Sequence, residues 1–138
     1  PLVPQAELAE LPRLIAGLTT PGLEIALDDR LGGTAPSRAT QFAAYRIVQE
    51  ALTNAVRHAQ AAHVSVILER REGADPALVV TVADDGRGFG GADPGASGHG
   101  GVLGMRERAA LLGGVVEVGD GPDGGARVVA TLPWGRAS

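Results

Sequence analysis

The sequence contains no cysteine and no lysine, and both absences narrow its chemistry. Without cysteine, neither a disulfide framework nor a thiolate metal site can form, and nothing requires an oxidising compartment. The 12 basic residues, all arginine, are outnumbered by 16 acidic ones, so the formal charge is −4. A nucleic-acid-binding domain needs basic residues clustered on one face. We therefore expect no nucleic-acid partner.

Long apolar runs are also missing, since none approaches the roughly 20 residues of a membrane-spanning helix. The start, PLVPQAELAEL, has neither the basic segment nor the apolar core of a signal peptide, and there is no initiator methionine. We expect a fragment of a longer protein that lies in the cytoplasm without direct membrane contact, whether or not the parent is membrane-anchored. Its 138 residues suffice for a single domain, 1–138, with one core.

Aromatic residues are few, so the core must be built from Val, Leu, Ile and Ala. The spacing of these residues predicts a helix over 6–18, interrupted by Pro12, as part of an entry segment over 1–20. A longer helix is predicted over 36–60, with Ser37 or Thr40 as its N-cap. A last helix begins near residue 102 and stops at Gly113 and Gly114.

Alternating and β-branched residues predict five strands, at 23–27, 63–70, 77–84, 115–120 and 126–133. The second and third strands read as one hairpin and the last two as another. The predicted fold is therefore an α+β sandwich, in which helices cover one face of a mixed, mostly antiparallel sheet of about five strands.

Residues 85–101 are too rich in glycine and polar residues to pack, and loops of this length are usually functional lids or disordered. The glycines at its end, Gly98, Gly100, Gly101 and Gly104, lead into the last helix. Free backbone amides at a helix N-terminus bind anions. The pattern lacks the lysine of a phosphate-binding P-loop, and the alternative is a flexible linker.

The long helix carries two stripes in the stretch QEALTNAVRHA. At about 100° per residue, Val48, Ala51, Leu52, Ala55, Val56 and Ala59 form an apolar stripe. The second stripe consists of Glu50, Asn54, Arg57 and His58. Because Glu50 and Asn54 are one turn apart, their oxygens could hold Mg²⁺, and the two residues after them could meet phosphate groups. The alternative is an ordinary solvated helix face.

The stretch VADDGRGFGG ends a buried strand with an aspartate, Asp84. Gly86 and Gly88 follow and allow a flat ligand to approach the backbone closely. An adenine amino group would satisfy the carboxylate. An Asp-Asp-Gly turn without a ligand is equally compatible with this pattern. The glycines of the terminal DGGARVVATLP hairpin read first as turn residues.

Taken together, these motifs resemble a known family. YRIVQEALTNAVRHA, VADDGRGF and GVLGMRERAALLGG resemble the N, G1 and G2 boxes of the ATP-binding catalytic domain of sensor histidine kinases, in the subfamily that signals to LuxR-type response regulators. The wider group is the GHKL superfamily, with gyrase B, MutL and a heat-shock chaperone. The resemblance covers residues 40–133, and LAELPRLIAGLTTPGLEIAL is similar to the start of this domain in actinobacterial members.

The resemblance implies a Bergerat fold with Mg-ATP between the long helix and a lid at 85–101. Asn54 would bind Mg²⁺, and Glu50 would take the place of the acidic residue that assists attack on the γ-phosphate and could share the metal. Arg57 matches the position that contacts phosphate, and His58 the position after it, near the nucleotide.

By the same resemblance, Asp84 would accept from the adenine amino group, with Gly86 and Gly88 shaping the pocket. Gly101 and Gly104 would let the lid and the helix start close over the phosphates. Val102, where family members usually have Leu, belongs to this nucleotide-binding segment. Ala126 stands where relatives often carry a Thr.

The implied function is to supply the γ-phosphoryl group of ATP for autophosphorylation of a histidine on a separate dimerisation domain, in two-component signalling through a LuxR-type response regulator. The sequence has only His58, His63 and His99, and none matches a phosphoacceptor segment. His63 opens a strand, which predicts a partly buried structural side chain. We expect an isolated domain that is monomeric and cannot phosphorylate itself. The alternatives are an anti-sigma-factor-type serine kinase of the same superfamily and a degenerate nucleotide-binding module.

Overall fold

The computed structural model describes residues 7–59, 61–86, 101–121 and 124–135. A short 3-10 turn, Leu8–Glu10, precedes the first helix. The helices are α1 (Leu11–Leu18), α2 (Arg38–Asn54), which continues as a π-helical turn over Ala55–Ala59, and α3 (Val102–Leu111). The strands are β1 (Glu24–Asp29), β2 (His63–Arg71), β3 (Ala77–Asp84), β4 (Val115–Asp120) and β5 (Ala126–Pro133).

The five strands form one mixed sheet in the order β1-β2-β3-β5-β4. β1 is parallel to β2, and every other neighbouring pair is antiparallel. Both predicted hairpins, β2 with β3 and β4 with β5, are confirmed. β3 lies at the centre of the sheet, so the chain leaves it at Asp84 with a strand on either side.

The core lies between the sheet and the helices. Alternate residues of the strands are buried there, among them Val64, Val66 and Leu68 on β2 and Val128, Ala130 and Leu132 on β5. The helices add Leu11, Ile15, Ile47, Val48, Leu52, Met105 and Ala109. The predicted α+β sandwich is confirmed. No helix in the described ranges combines the length and the apolar character that crossing a membrane demands.

The proline and capping residues in the sequence predicted the starts of the first two helices correctly. Pro12 lies in the first turn of α1, after the short 3-10 piece, where its missing N–H costs no hydrogen bond. Ser37 is the N-cap of α2, since its Oγ accepts from the Thr40 N–H at 3.3 Å. Thr40 is buried instead and donates its hydroxyl to the Pro133 carbonyl at 2.7 Å.

The end of α3 is also the predicted one. Gly113 has a φ of 80°, a left-handed conformation that favours glycine. Its N–H donates to Ala110 and the Gly114 N–H to Ala109, which satisfies two of the last carbonyls of the helix. The chain can then turn directly into β4.

The apolar stripe of α2 is correct as far as Ala55 and wrong at Val56. Val48, Ala51, Leu52 and Ala55 are buried, but Val56 is 44% exposed. The reason is the π-helical turn over Ala55–Ala59. Hydrogen bonds in a π turn span five residues instead of four, so the 100° spacing that placed Val56 beneath Leu52 no longer applies.

Candidate functional site

The candidate site contains two close contacts. One lies between α2 and the start of α3, and the other lies between the last residue of β3 and the turn that joins β4 to β5. The first joins Glu50 to Gly101 and the second joins Asp84 to Gly125. In both contacts a glycine lies against an acidic residue that the sequence singled out.

Glu50 is half-buried on α2, and its carboxylate lies against the backbone of Gly101. Gly101 is the N-cap of α3 and has a φ of 88°. A Cβ on Gly101 would overlap the Glu50 carboxylate, so this position tolerates no side chain without displacing Glu50. The structure thus brings together two residues that the sequence analysis assigned to separate motifs.

Asn54 is the last residue of α2, one turn beyond Glu50, and is half-buried. Arg57 follows in the π-helical turn and is exposed. Short π-helical segments inside helices are frequent at functional sites, because they change the angular spacing of the side chains. The sequence did not reveal this turn, since its residues AVRHA also suit an α-helix.

Oxygen donors at Glu50 and Asn54 suit Mg²⁺, which prefers few protein ligands and completes its octahedron with water and phosphate oxygens. No group of three or more His, Asp or Glu side chains suited to a metal ion occurs among the residues that the structure describes.

Asp84 ends β3, and its Oδ1 atom accepts two backbone hydrogen bonds. One comes from the Gly86 N–H at 2.9 Å and the other from the Ala126 N–H at 3.2 Å. The first bond closes the Asp-Asp-Gly turn that the sequence left open as an alternative. The second ties the turn to β5. With Oδ1 held in this way, the carboxylate has a set orientation, and Oδ2 forms no hydrogen bond with the described part of the chain.

Gly125 is the site residue that the sequence analysis missed, because it read as a turn glycine. It is buried, and a Cβ there would overlap the carbonyl oxygen of Asp84 and stand 2.9 Å from its Oδ1. Only glycine lets the hairpin come close enough for the Ala126 N–H to reach the carboxylate. The DGG sequence carries a turn signal but no sign of this contact.

Asp85, the next residue, forms a second hydrogen-bonded group with the start of β2. Its Oδ1 accepts from the N–H groups of Ala62 and His63 at 2.8 and 2.9 Å, and its Oδ2 lies 2.9 Å from His63 Nδ1. His63 Nε2 is 3.5 Å from a Glu24 carboxylate oxygen. The prediction of a partly buried His63 is wrong, because 68% of its side chain is exposed. As the first residue of β2, it lies at the end of the sheet and points away from the core.

These contacts shift the pKa values of Asp85 and His63 in opposite directions. The hydrogen bonds from the His63 and Ala62 backbone and from the His63 ring lower the pKa of Asp85 to about 2. The hydrogen bond to Asp85, then its charge and the charge of Glu24, raise the pKa of His63.

The remaining predicted residues divide into two groups. Val102 is buried at 3% exposure, so a ligand would meet its backbone, and Gly104 lies two residues further into α3 with open space where a Cβ would stand. The predicted roles of the His58 side chain, of Gly88, Gly98, His99 and Gly100, and of most of the lid at 85–101 fall on parts of the chain outside the described residues. Asp85 and Gly86, the first residues of that segment, are held by the hydrogen bonds given above.

Comparison with known proteins places this geometry in context. A family model described as histidine kinase-, DNA gyrase B-, and HSP90-like ATPase matches residues 39–136. The chain is similar to the signal transduction histidine-protein kinase/phosphatase UhpB of Salmonella typhimurium, with 35% identity over 117 residues, 84% of this chain and 22% of that protein. It is also similar to the sensor histidine kinase LiaS of Bacillus subtilis, with 38% identity over 100 residues, 72% of this chain and 27% of that protein.

A third relative is the signal transduction histidine-protein kinase/phosphatase DegS of Brevibacillus brevis, with 33% identity over 93 residues, 67% of this chain and 23% of that protein. The chain thus spans about a quarter of the length of these relatives. Among solved structures, the ATP binding domain of PrrB from Mycobacterium tuberculosis superimposes with a TM-score of 0.65 at 23% identity, covering 93% of each chain. At that identity the likeness shows the fold.

Proposed function

The chain belongs to the family of histidine kinase-, DNA gyrase B- and HSP90-like ATPases, and we propose that its Glu50, Asn54 and Asp84 bind Mg-ATP for a histidine kinase. It is an ATP-binding catalytic domain of the histidine-kinase type, as its named relatives indicate. The observation that carries the proposal is the set orientation of Asp84 at the end of the central strand. Its Oδ1 is held by two backbone N–H groups, so Oδ2 would be the atom that accepts from the adenine amino group.

That arrangement favours adenine. The adenine amino group is a donor where guanine presents a carbonyl oxygen. A carboxylate oxygen is an acceptor, so it gains a hydrogen bond with adenine and repels guanine at the same place. Gly86, whose N–H donates to the same carboxylate, carries no side chain that would block a flat base.

The phosphate end of the site is assigned to α2 and the start of α3. Asn54 and Glu50 would hold the magnesium ion, which supplies positive charge and bridges the phosphate oxygens when ATP is bound. Glu50 lies against Gly101, so the first backbone N–H groups of α3 are close to the same region. Such groups favour an anion. Arg57, exposed in the π-helical turn, adds a further positive charge.

This chemistry suits phosphoryl transfer, which depends mainly on positioning and charge neutralisation. We assign to the parent protein the transfer of the γ-phosphoryl group to a histidine on its dimerisation domain, and then signalling to a response regulator of the LuxR type. The isolated domain would act on the cytoplasmic side as a monomer. The names of the relatives, which are histidine kinases, support the kinase assignment. The regulator type, the cytoplasmic position and the monomeric state rest on the resemblance described in the sequence analysis.

Calorimetric titration with a non-hydrolysable ATP analogue, with and without Mg²⁺ and with the GTP analogue as control, tests the proposal. We expect binding that depends on magnesium and prefers adenine. Equal binding of both purines would remove Asp84 from base recognition, and no binding at millimolar nucleotide would favour the degenerate module.

A further inference from the structure

The central strand ends in two consecutive aspartates that connect to opposite neighbours. Asp84 accepts from the Ala126 N–H of β5, on one side of β3. Asp85 accepts from the N–H groups of Ala62 and His63 at the start of β2, on the other side. The two carboxylates together hold the end of β3 between both neighbouring strands.

We propose that Asp85 is a positioning residue for nucleotide binding, because its carboxylate fastens the connection between α2 and β2 to the residue beside Asp84. The inference rests on the proposed function, in which Asp84 accepts from adenine. Asp85 itself would not touch the nucleotide.

The hydrogen bonds of Asp85 are placed to do this. Its N–H donates to the His63 carbonyl at 3.1 Å, while its Oδ1 accepts from the N–H groups of Ala62 and His63. The first bond joins backbone to backbone, and the other two join the Asp85 carboxylate to the backbone of Ala62 and His63. A rotation of the peptide between Asp84 and Asp85 would break these bonds, so they restrict the orientation of Asp84 as well.

The same bonds join the two halves of the site. Ala62 and His63 follow the π-helical turn that contains Arg57 and begins directly after Asn54. The connection from that turn to β2 is short, so its anchor at Asp85 also limits how far Asn54 can move relative to Asp84. Loss of these hydrogen bonds is therefore expected to change the distance between Asn54, which would hold the metal, and Asp84, which would accept from adenine.

Geometry, and not charge, should carry this role. The His63 side chain is 68% exposed and the Asp85 side chain 40% exposed, so solvent screens the attraction between their charges. The two backbone N–H groups need only an acceptor at Oδ1. Asparagine offers an amide oxygen there, so Asp85→Asn should lose little nucleotide affinity.

The experiment compares nucleotide affinity in three variants by calorimetry with the magnesium complex of a non-hydrolysable ATP analogue. For Asp85→Ala we expect affinity to fall about fivefold or more, equivalent to one lost hydrogen bond of about 1 kcal/mol. The affinity of Asp85→Asn should stay within about twofold of the wild type, because its amide oxygen can still accept the two backbone hydrogen bonds. Glu24→Gln, the matched control, removes a carboxylate of the same cluster that accepts no backbone bond and should also stay within about twofold.

Amide NMR spectra provide a readout that does not depend on affinity. If Asp85 orients Asp84, Asp85→Ala shifts the Ala126 N–H signal, which reports the hydrogen bond from β5 to Asp84, and Asp85→Asn leaves it in place. Should Asp85→Ala fail to fold, Asp85→Glu replaces it, since the extra methylene displaces the carboxylate but keeps its charge. Weaker binding by that variant supports the inference, and unchanged binding contradicts it.

The outcomes separate the two proposals. If the wild type binds no nucleotide, the proposed function fails. If the wild type binds and Asp85→Ala binds equally well, or if Asp85→Asn is as weak as Asp85→Ala, the positioning role is overturned while the nucleotide site stands.

Discussion

Gly125 lies so close to Asp84 that a Cβ on Gly125 would stand 2.9 Å from the carboxylate Oδ1 and overlap the carbonyl oxygen. This contact brings β5 within reach of the acidic residue, and the Ala126 N–H completes it. We therefore expect Gly125→Ala to push the hairpin away and to lower both stability and nucleotide affinity. Overpacking of this kind costs about 1–3 kcal/mol. Denaturant unfolding and calorimetry measure the two effects.

Gly119→Ala is the matched control for that variant. Gly119 lies in β4, and nothing occupies the space that its Cβ would fill. It should unfold and bind nucleotide much like the wild type. If both alanines have the same small effect, the close approach of Gly125 to Asp84 is not needed.

For Asp84→Asn we expect a folded protein with weaker binding of adenine nucleotides. The amide oxygen can still accept from the Gly86 and Ala126 N–H groups, so the turn should persist. The amide nitrogen then faces the adenine amino group, donor against donor. An unpaired buried donor costs about 1–3 kcal/mol, roughly 5- to 150-fold in affinity. Affinity equal to that of the wild type, with unchanged circular dichroism, would contradict the assignment.

The magnesium site is tested by Asn54→Ala. Removal of the amide oxygen takes away one of the two protein ligands that we propose for the metal, so binding of the ATP analogue should lose most of its dependence on Mg²⁺. Thr53→Ala serves as control, because the neighbouring Thr53 donates its hydroxyl to the Gln49 carbonyl within the helix at 2.8 Å. Titration at several magnesium concentrations compares the two. A metal response that survives in Asn54→Ala would assign another role to this helix face.

Gly101→Ala should displace Glu50, because the new methyl group would overlap its carboxylate. The φ of 88° at Gly101 adds strain for any residue with a Cβ. We expect weaker binding of the magnesium nucleotide and a modest loss of stability, about 1 kcal/mol. Gly17→Ala in α1, where nothing occupies the space for a Cβ, is the control and should be neutral or stabilising. Unchanged binding by Gly101→Ala would show that nucleotide binding does not depend on the position of the Glu50 carboxylate beside Gly101.

The pair formed by His63 and Asp85 predicts a pH dependence of stability. The pKa of Asp85 is lowered to about 2, so its contribution is present above the ordinary pKa of an aspartate and is lost as the pH falls towards 2. The pKa of His63 is raised, so its contribution is present below about pH 6.5 and is lost as the pH rises through the raised value. Glu24, which also faces His63, acts in the same direction.

Both contributions coincide between about pH 4 and 6.5. Urea unfolding of the wild type and of Asp85→Asn at pH 5 and pH 8 measures the effect. The free energy of unfolding of the wild type should exceed that of the variant by more at pH 5, where His63 and Asp85 are both charged, than at pH 8. A difference that is the same at both values would show that the histidine charge contributes nothing.

Local sequence determined most of the elements of this protein. The bounds of β3, β4 and β5 are those predicted, because alternating apolar residues and flanking turn residues act over a few positions. The Ser37 cap and the stop at Gly113 follow from the same short-range chemistry. The residues Glu50, Asn54 and Asp84 could be chosen because their residue types and spacing resemble the N and G1 boxes.

Only the tertiary structure decided how these elements meet. The contacts of Glu50 with Gly101, of Asp84 with Gly125 and of Asp85 with the start of β2 join residues far apart in the chain, and no local pattern encodes such distances. The π-helical turn that exposes Val56 belongs with them, since its sequence also suits an α-helix. Packing against the sheet, which sums contacts from the whole chain, sets these features, whereas hydrogen bonds between near neighbours set the elements themselves.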